Sequence, residues 1–581
     1  MKKQLTFIIL LFLIIVLNGC KKESEPKDNT NEEDNTNEPT KEEIIHQRAL
    51  NILETMTLEE KIGQMFMVGF EGTSIPNSLN QAIVNQRFGN FIYFGANVAD
   101  DSKVASMSSH LQNEVMEEIK IPAFISMDQE GGMVVRFAGN ATHFIGNMGL
   151  VATGNSDNAY NIGKLSGQEL RHYGVNVNLA PSLDVNNNPA NPVIGIRSYS
   201  DNPQIVSEFG LKMIKGLKES DVLSTVKHFP GHGDTVVDSH YGLPLINHDK
   251  ERLYSVELAP FIAAINDGVD AIMTAHIIFQ EFDSEYPATL SYKVLTEILR
   301  EELGFQGIII TDEMRMNAIR NNFGIGDAAI MSIKAGADML LYAESTSTSL
   351  EAYEGVLNAC INGNISEERI NSSVIRILEK KLKYGLFEDY QPRLNLESVD
   401  FLSNELYNRN FVEKSITLAK GNVNWFSKDR STLLISSVCT RYPLIPGYSI
   451  NTNNNSLAFV GKRYLNEEGV KVVDSYVIGK TLSDSEINNI IMNAKNYEQV
   501  IIAVEDVSST QATLINNLNK ESNDLLVIAL KNPYDFIKYD KVDNYICSYG
   551  YFADSVQAIM DLLLGKFTPS GVLPVKVTGI N

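Results

Sequence analysis

Residues 227–240, Lys-His-Phe-Pro-Gly-His-Gly-Asp-Thr-Val-Val-Asp-Ser-His, hold three of the chain's nine His beside Asp234 and Asp238. Pro230, Gly231 and Gly233 stop any helix, so the segment is a loop. Two chemistries fit it. Three His and two Asp could satisfy a divalent ion, although Pro230 and Gly231 rule out a helical His-x-x-x-His pair. Alternatively, Asp238 could turn onto one ring nitrogen of His240, fix its tautomer and leave the other nitrogen to donate a proton. A second candidate is Ile308-Ile-Ile-Thr-Asp312-Glu-Met314. A carboxylate directly after a β-branched run is held at a buried strand's end, where it can be aimed. Asp312 also suits the N-cap of a following helix, and both uses stay open.

Something must bring these loops together. Apolar runs that read as buried strands occur at Gln64–Phe70, Phe91–Gly95, Ala123–Met127, Val175–Ala180, Ser224–Phe229, Asp270–Ala275, Gly307–Thr311 and Asp338–Tyr342. Amphipathic stretches such as Val256–Asn266 and Lys293–Leu303 alternate with them. Eight strand–helix units predict a (β/α)₈ barrel, with an open doubly wound sheet as the alternative. Polar residues at the strand ends favour the barrel: Asp128 and Glu130, Asp184, Lys227 and His228, His276, Asp312 and Glu344 follow the third to eighth runs. Barrel strands deliver their C-terminal ends to one mouth, so these residues converge.

Strand-like runs at Leu433–Ser436, Leu457–Val460, Val500–Val504, Leu525–Leu530 and Asn544–Ser548 alternate with helices at Asp484–Asn496 and Asp554–Leu564. They predict a smaller α/β domain with a parallel sheet. The organisation expected is a barrel over 44–388, a linker over 389–409 and the second domain over 410–581.

The N-terminus reads differently. Lys2 and Lys3 precede an apolar run, Phe7–Leu17, too short to span a bilayer comfortably and shaped like a signal peptide. The run ends Leu17-Asn-Gly-Cys20, which resembles a bacterial lipobox. That resemblance implies removal of residues 1–19 and lipid attachment at Cys20. Lys21–Glu43 carries nine acidic residues and almost nothing apolar; such a segment cannot fold and reads as a tether over 20–43. The chain has 49 Lys+Arg against 72 Asp+Glu, a net charge of −23. This acidity argues against nucleic acid, which is bound by clustered cations. Four Cys in so long a chain make no disulfide framework.

The motifs together resemble glycoside hydrolase family 3 β-N-acetylhexosaminidases. They are Met56-Thr-Leu-Glu-Glu-Lys-Ile-Gly-Gln64, Asp128-Gln-Glu-Gly-Gly132, the 227–235 loop with Asp238-Ser-His240, Ile310-Thr-Asp-Glu-Met314 and Pro569-Ser-Gly-Val-Leu-Pro574. The resemblance implies retaining hydrolysis of terminal β-linked N-acetylglucosamine from peptidoglycan or chitin-type fragments, without a cofactor or metal. It implies Asp312 as nucleophile, His240 as acid/base and Asp238 as the group orienting His240. Asp128, Arg136, Arg197, Lys227 and His228 match sugar-contacting positions. Met133 departs from the family's usual Arg, which bears on fine specificity.

The implied setting is a lipid-anchored enzyme exported to the bacterial cell membrane, facing cell wall or periplasm and acting on saccharides or muropeptides. Other readings remain. A β-glucosidase of the related branch would draw its acid from the second domain, where Glu505 and Asp506 read as ordinary strand-end residues. A phosphorylase would replace water by phosphate. A zinc hydrolase would use His228, His232 and His240, and a non-catalytic lipoprotein would only bind sugar.

Overall fold

The computed structural model describes residues 39–580, apart from 138–140, 344–345, 395–398, 423–424, 446–448 and 522–523. Cys20, the signal peptide and nearly all of the tether lie outside the described residues, as does Glu344. No helix among the described residues is long and apolar enough to cross a membrane.

All eight expected barrel strands are present: β1 Phe66–Val68, β2 Asn90–Tyr93, β3 Phe124–Met127, β4 Val177–Asn178, β5 Leu223–Phe229, β6 Ala271–Thr274, β7 Ile308–Ile310 and β8 Leu340–Tyr342. Their spatial order is β8-β1-β2-β3-β4-β5-β6-β7, every pairing parallel. A parallel bridge between Ile310 and Met339 joins the last strand to the first and nearly closes the ring. The barrel therefore replaces the open-sheet alternative. Every residue of these strands is buried, inside by its neighbours across the barrel and outside by helices.

The helices obey local chemistry. Thr57 accepts the Glu60 N–H while the Glu60 carboxylate accepts the Thr57 N–H, a capping box that starts helix Leu58–Gln64. The predicted helical stretch at 293–303 is a π-helix over Lys293–Glu302, and that at 256–266 is a π-turn over Leu253–Glu257 followed by helix Ala259–Asn266.

The second domain is a six-stranded sheet of β9 Thr417–Lys420, β10 Ser431–Ser437, β11 Val472–Ile478, β12 Gln499–Val504, β13 Leu525–Ala529 and β14 Asn544–Cys547. The order is β9-β14-β13-β12-β10-β11, parallel except for the antiparallel edge strand β9. Three expectations change. Leu457–Val460 is not a strand but the start of helix Leu457–Glu467, where Ser456 caps the Phe459 N–H. Four apolar residues fit either structure, and the preceding cap decides. Strands β9 and β11 were not expected. Finally, helix Phe401–Ser415 runs through the second half of the predicted 389–409 linker and into the second domain.

The two domains share a core. Met133, Met148, Ala152 and Ile196, from the segments that follow β3 and β4, pack in one apolar cluster with Leu433, Ile435, Val500, Ile502, Val527 and Tyr545 of the second sheet. Backbone contacts secure the same face. Val572 N–H donates to Ala152 O at 2.9 Å, and the Ser200 hydroxyl donates to Pro574 O at 2.5 Å. The Pro569–Pro574 motif thus returns the chain end to the barrel.

Candidate active site

At the end of β3 the chain reads Asp128-Gln-Glu-Gly-Gly132 and doubles back. Gly132 has φ +57°, and a Cβ there would sit 2.8 Å from Gly146 Cα, so the turn requires glycine. The return brings Arg136 over Asp128, Nη2 to Oδ2 at 2.7 Å, with its backbone N–H on Gln129 Oε1. Lys227, at the end of β5, sends its ammonium between two carboxylates: Asp128 Oδ1 at 2.8 Å and Glu130 Oε1 at 2.7 Å. Arg197, on the turn Gly195–Arg197, forks onto Glu130 at 3.0 and 2.8 Å. Two acids and three bases therefore alternate. Burial alone would raise both carboxyls; the cations override it, holding Glu130 down to about 2 and Asp128 well below the usual carboxylate range.

A second buried group lies beneath this one. Asp184, past β4 and fully buried, accepts from His228 Nδ1 at 2.7 Å, His228 N at 3.2 Å, His232 N at 2.6 Å and the Ser182 hydroxyl at 2.9 Å. Because an ionised carboxylate only accepts, His228 Nδ1 carries the hydrogen and Nε2 is left for the cavity. His232 is locked between Thr235 Oγ1 at 2.9 Å and Ser239 Oγ at 3.0 Å, and burial pushes its pKa down to about 4. It is a neutral strut that shapes the loop.

Asp312 follows β7 and accepts the Glu313 N–H at 2.8 Å. Burial works against its charge, but the nearby His228 and His276 rings and that N–H hold its carboxyl below its ordinary value. The next helix starts at Asn317 with Met316 as its cap. Asp312 is therefore not a helix cap. His276, expected at the mouth, is fully buried and braces this segment by donating from Nε2 to Glu313 O at 3.0 Å.

The 233–244 loop presents the remaining pair. His240 Nδ1 lies 2.7 Å from Asp238 Oδ1, which also accepts the His240 N–H at 2.8 Å. The His240 side chain is 59% exposed, so Nε2 is open to solvent and cavity. Asp128, Arg136, Arg197, Lys227, His228, Asp238, His240 and Asp312 all line one cavity of about 470 Å³. Every predicted catalytic and sugar-contacting residue is brought to that cavity. Met133 lines it too, as does Arg441 from the second domain.

The metal alternative fares differently. His228, His232 and His240 each spend a ring nitrogen on a separate partner: Asp184, Thr235 with Ser239, and Asp238. Among the described residues the grouping of metal-ligating types is Asp234, His248 and Glu257. There Asp234 pairs with His248, and Glu257 accepts from Asn187 at 2.7 Å and Arg252 at 3.1 Å. Glu505 and Asp506, after β12, do not line the cavity; Asp506 pairs with Lys531 at 2.5 Å.

Sequence reasoning brought Glu130 and Asp184 to the mouth as strand-end acids but gave neither a role; Arg441 gave no signal at all.

The profile described as "Glycosyl hydrolase family 3 N terminal domain" matches residues 57–380, more than half of the chain. The chain belongs to glycosyl hydrolase family 3. It is a glycoside hydrolase with the family's barrel and a second α/β domain. Beta-hexosaminidase A of Pseudoalteromonas piscicida is 37% identical over 334 residues, 54% of this chain and 56% of that relative. Beta-hexosaminidase of Tolumonas auensis is 32% identical over 296 residues, 50% of this chain and 86% of the relative. A solved family 3 beta-N-acetylglucosaminidase from Paenibacillus sp. str. FPU-7 superposes with TM-score 0.82 at 36% identity, covering 90% of this chain and 99% of that one. The match thus spans a little over half of the first relative and nearly all of the solved family 3 chain.

Proposed function

We propose that this family 3 enzyme is a retaining, exo-acting β-N-acetylglucosaminidase that removes terminal β-linked N-acetylglucosamine from peptidoglycan or chitin-type fragments. The observation that carries the reading is the Asp312 carboxylate and the Asp238–His240 pair facing one cavity. Asp312, kept ionised, attacks the anomeric carbon and the bond to the glycosidic oxygen breaks. His240 delivers its Nε2 proton to the leaving oxygen, and Asp238 steadies the imidazolium. The product of that step is a glycosyl ester on Asp312. His240, now neutral, takes a proton from water as the water oxygen attacks the same carbon, which frees Asp312 and restores configuration. Asp128, Arg136 and Lys227 offer charged hydrogen-bonding groups to several hydroxyls of one sugar, which suits removal of a terminal residue.

The hexosaminidase and N-acetylglucosaminidase names of the relatives support an acetamido sugar. The absence of Glu505 from the cavity lining supports His240 over an acid from the second domain. The test compares 4-nitrophenyl β-N-acetylglucosaminide with 4-nitrophenyl β-glucoside, with chelator present, for wild type and His240→Ala. Strong preference for the acetamido sugar, insensitive to chelator, is expected. With His240→Ala, rates should fall least for aryl glycosides with good leaving groups; equal loss for all would remove the acid role.

The reading includes anchoring. Lipid on Cys20 and the acidic tether would hold the barrel off the cell membrane, facing wall polymers or muropeptides. Globomycin should then block maturation of the precursor, and a precursor processed normally in its presence would sink the anchor.

A further inference from the structure

The second domain has no part in the reaction as written above, yet it places a guanidinium at the sugar-binding cavity. Arg441 lies between β10 and helix Leu457–Glu467 in the chain and lines the same cavity as Asp128 and Arg136. Its one hydrogen bond given by the structure runs from Nη1 to Met133 O at 3.3 Å. The neighbouring Tyr442 hydroxyl donates to the same carbonyl at 3.0 Å. A shared acceptor divides the work: the phenol is the shorter anchor, and the guanidinium retains four of its five N–H groups for another partner.

The surroundings favour a ligand over an internal partner. Every other cation at this wall is neutralised at close range: Arg136 by Asp128, Lys227 by Asp128 and Glu130, and Arg197 by Glu130. Among the described residues no carboxylate oxygen lies within 4.0 Å of the Arg441 guanidinium. Its side chain is exposed. Met133 packs into the second domain's core, and His143, stacked on Phe552 at 4.4 Å, holds Gly132 O at 2.7 Å. A cation with free donors at the wall of an oxygen-rich ligand's cavity is arranged for that ligand.

We infer that Arg441 is a substrate-contacting, specificity-determining residue through which the second domain binds an oxygen of the saccharide held against Asp128 and Arg136. The inference rests on the reading that this cavity takes a terminal sugar. It gives the second domain a direct share in affinity. A binding contact made alike in ground and transition states appears in KM.

The test uses the full chain and whichever aryl glycoside the wild type hydrolyses, so a wrong sugar preference leaves it intact. Arg441→Ala should raise KM about tenfold or more with kcat changed less than about threefold, the size expected for losing a charged hydrogen bond. Arg441→Lys should recover part of that affinity. Tyr442→Phe, which removes only the docking bond, should leave KM within about twofold. Unchanged KM in Arg441→Ala would overturn the inference. So would equal losses in kcat and KM for Arg441→Ala and Tyr442→Phe, since docking alone would then explain both.

Discussion

Asp184 touches no substrate in the mechanism above, so replacing it tests how far the buried network controls the mouth of the barrel. Asp184→Asn keeps size and shape but exchanges one acceptor oxygen for a donor. On the Oδ1 side an amide oxygen still accepts the N–H groups of His228 and His232. The Ser182 hydroxyl can rotate to accept. The His228 ring must rearrange: its Nδ1–H would face an N–H at the position where Oδ2 now accepts at 2.7 Å. Either the ring turns away or its tautomer switches, and in both cases the nitrogen presented to the cavity changes. Losing a buried hydrogen bond to a charged group costs about 1.5–3 kcal/mol of stability. Losing the His228 orientation should lower kcat/KM about a hundredfold, equivalent to about 2.7 kcal/mol in the barrier. Urea unfolding followed by far-ultraviolet circular dichroism, beside steady-state kinetics on the aryl glycoside, reads both quantities. A variant within about 1 kcal/mol of wild type in stability and within threefold in kcat/KM would refute the assignment of Asp184 as the group that aims His228.

Other perturbations separate chemistry from scaffolding. Asp312→Ala should cut turnover by at least about a thousandfold, while stability stays within about 1 kcal/mol, because the carboxylate receives only the Glu313 N–H; near-normal turnover would remove it as nucleophile. Gly233→Ala would put a Cβ 1.7 Å from Val185 O, so the loop carrying Asp238 and His240 must shift. That should cost about 1–3 kcal/mol and lower kcat/KM at least about tenfold, checked by thermal unfolding and kinetics. Asp338 is buried among Arg300, Arg369, Arg376, the Ser373 hydroxyl and the Ile309 N–H, and those cations hold its carboxyl below its ordinary value against the effect of burial. Its stabilisation is full above the ordinary carboxylate pKa of about 4 and is lost as pH falls through the depressed folded value. Asp338→Asn should therefore lose about 3–5 kcal/mol at neutral pH, and urea midpoints should show the gap to wild type closing in acid; a gap that widens in acid would contradict the burial of an ionised Asp338.

The barrel was legible because its strands are buried on both faces and so read as short apolar runs, and because strand ends in a barrel must converge. Asp128, Lys227, His228 and Asp312 were found from that rule plus motif resemblance. Asp238 and His240 were found because their pairing is local, two residues apart. What escaped is the distant pairing itself, and Arg441 altogether: Asp184 meets His228 across 44 residues, Glu130 meets Arg197 across 67, and Arg441 meets Met133 across 308. No local pattern marks such partners. In the second domain Leu-Ala-Phe-Val at 457–460 satisfies strand and helix alike, and the competing signal is one serine before it. Edge strand β9 was missed because only its first residue is buried, so it lacks the apolar run by which central strands are recognised.

The shared core also sets an order of events in folding. Met133, Met148, Ala152 and Ile196 come from the barrel and have no cover until the strands of the second domain are in place. Until then the barrel offers a greasy patch beside an unfinished catalytic mouth. At about 1.5–3 kcal/mol per large apolar side chain, the eventual covering contributes several kcal/mol. Cutting the gene between the domains would therefore freeze the protein in its most adhesive moment.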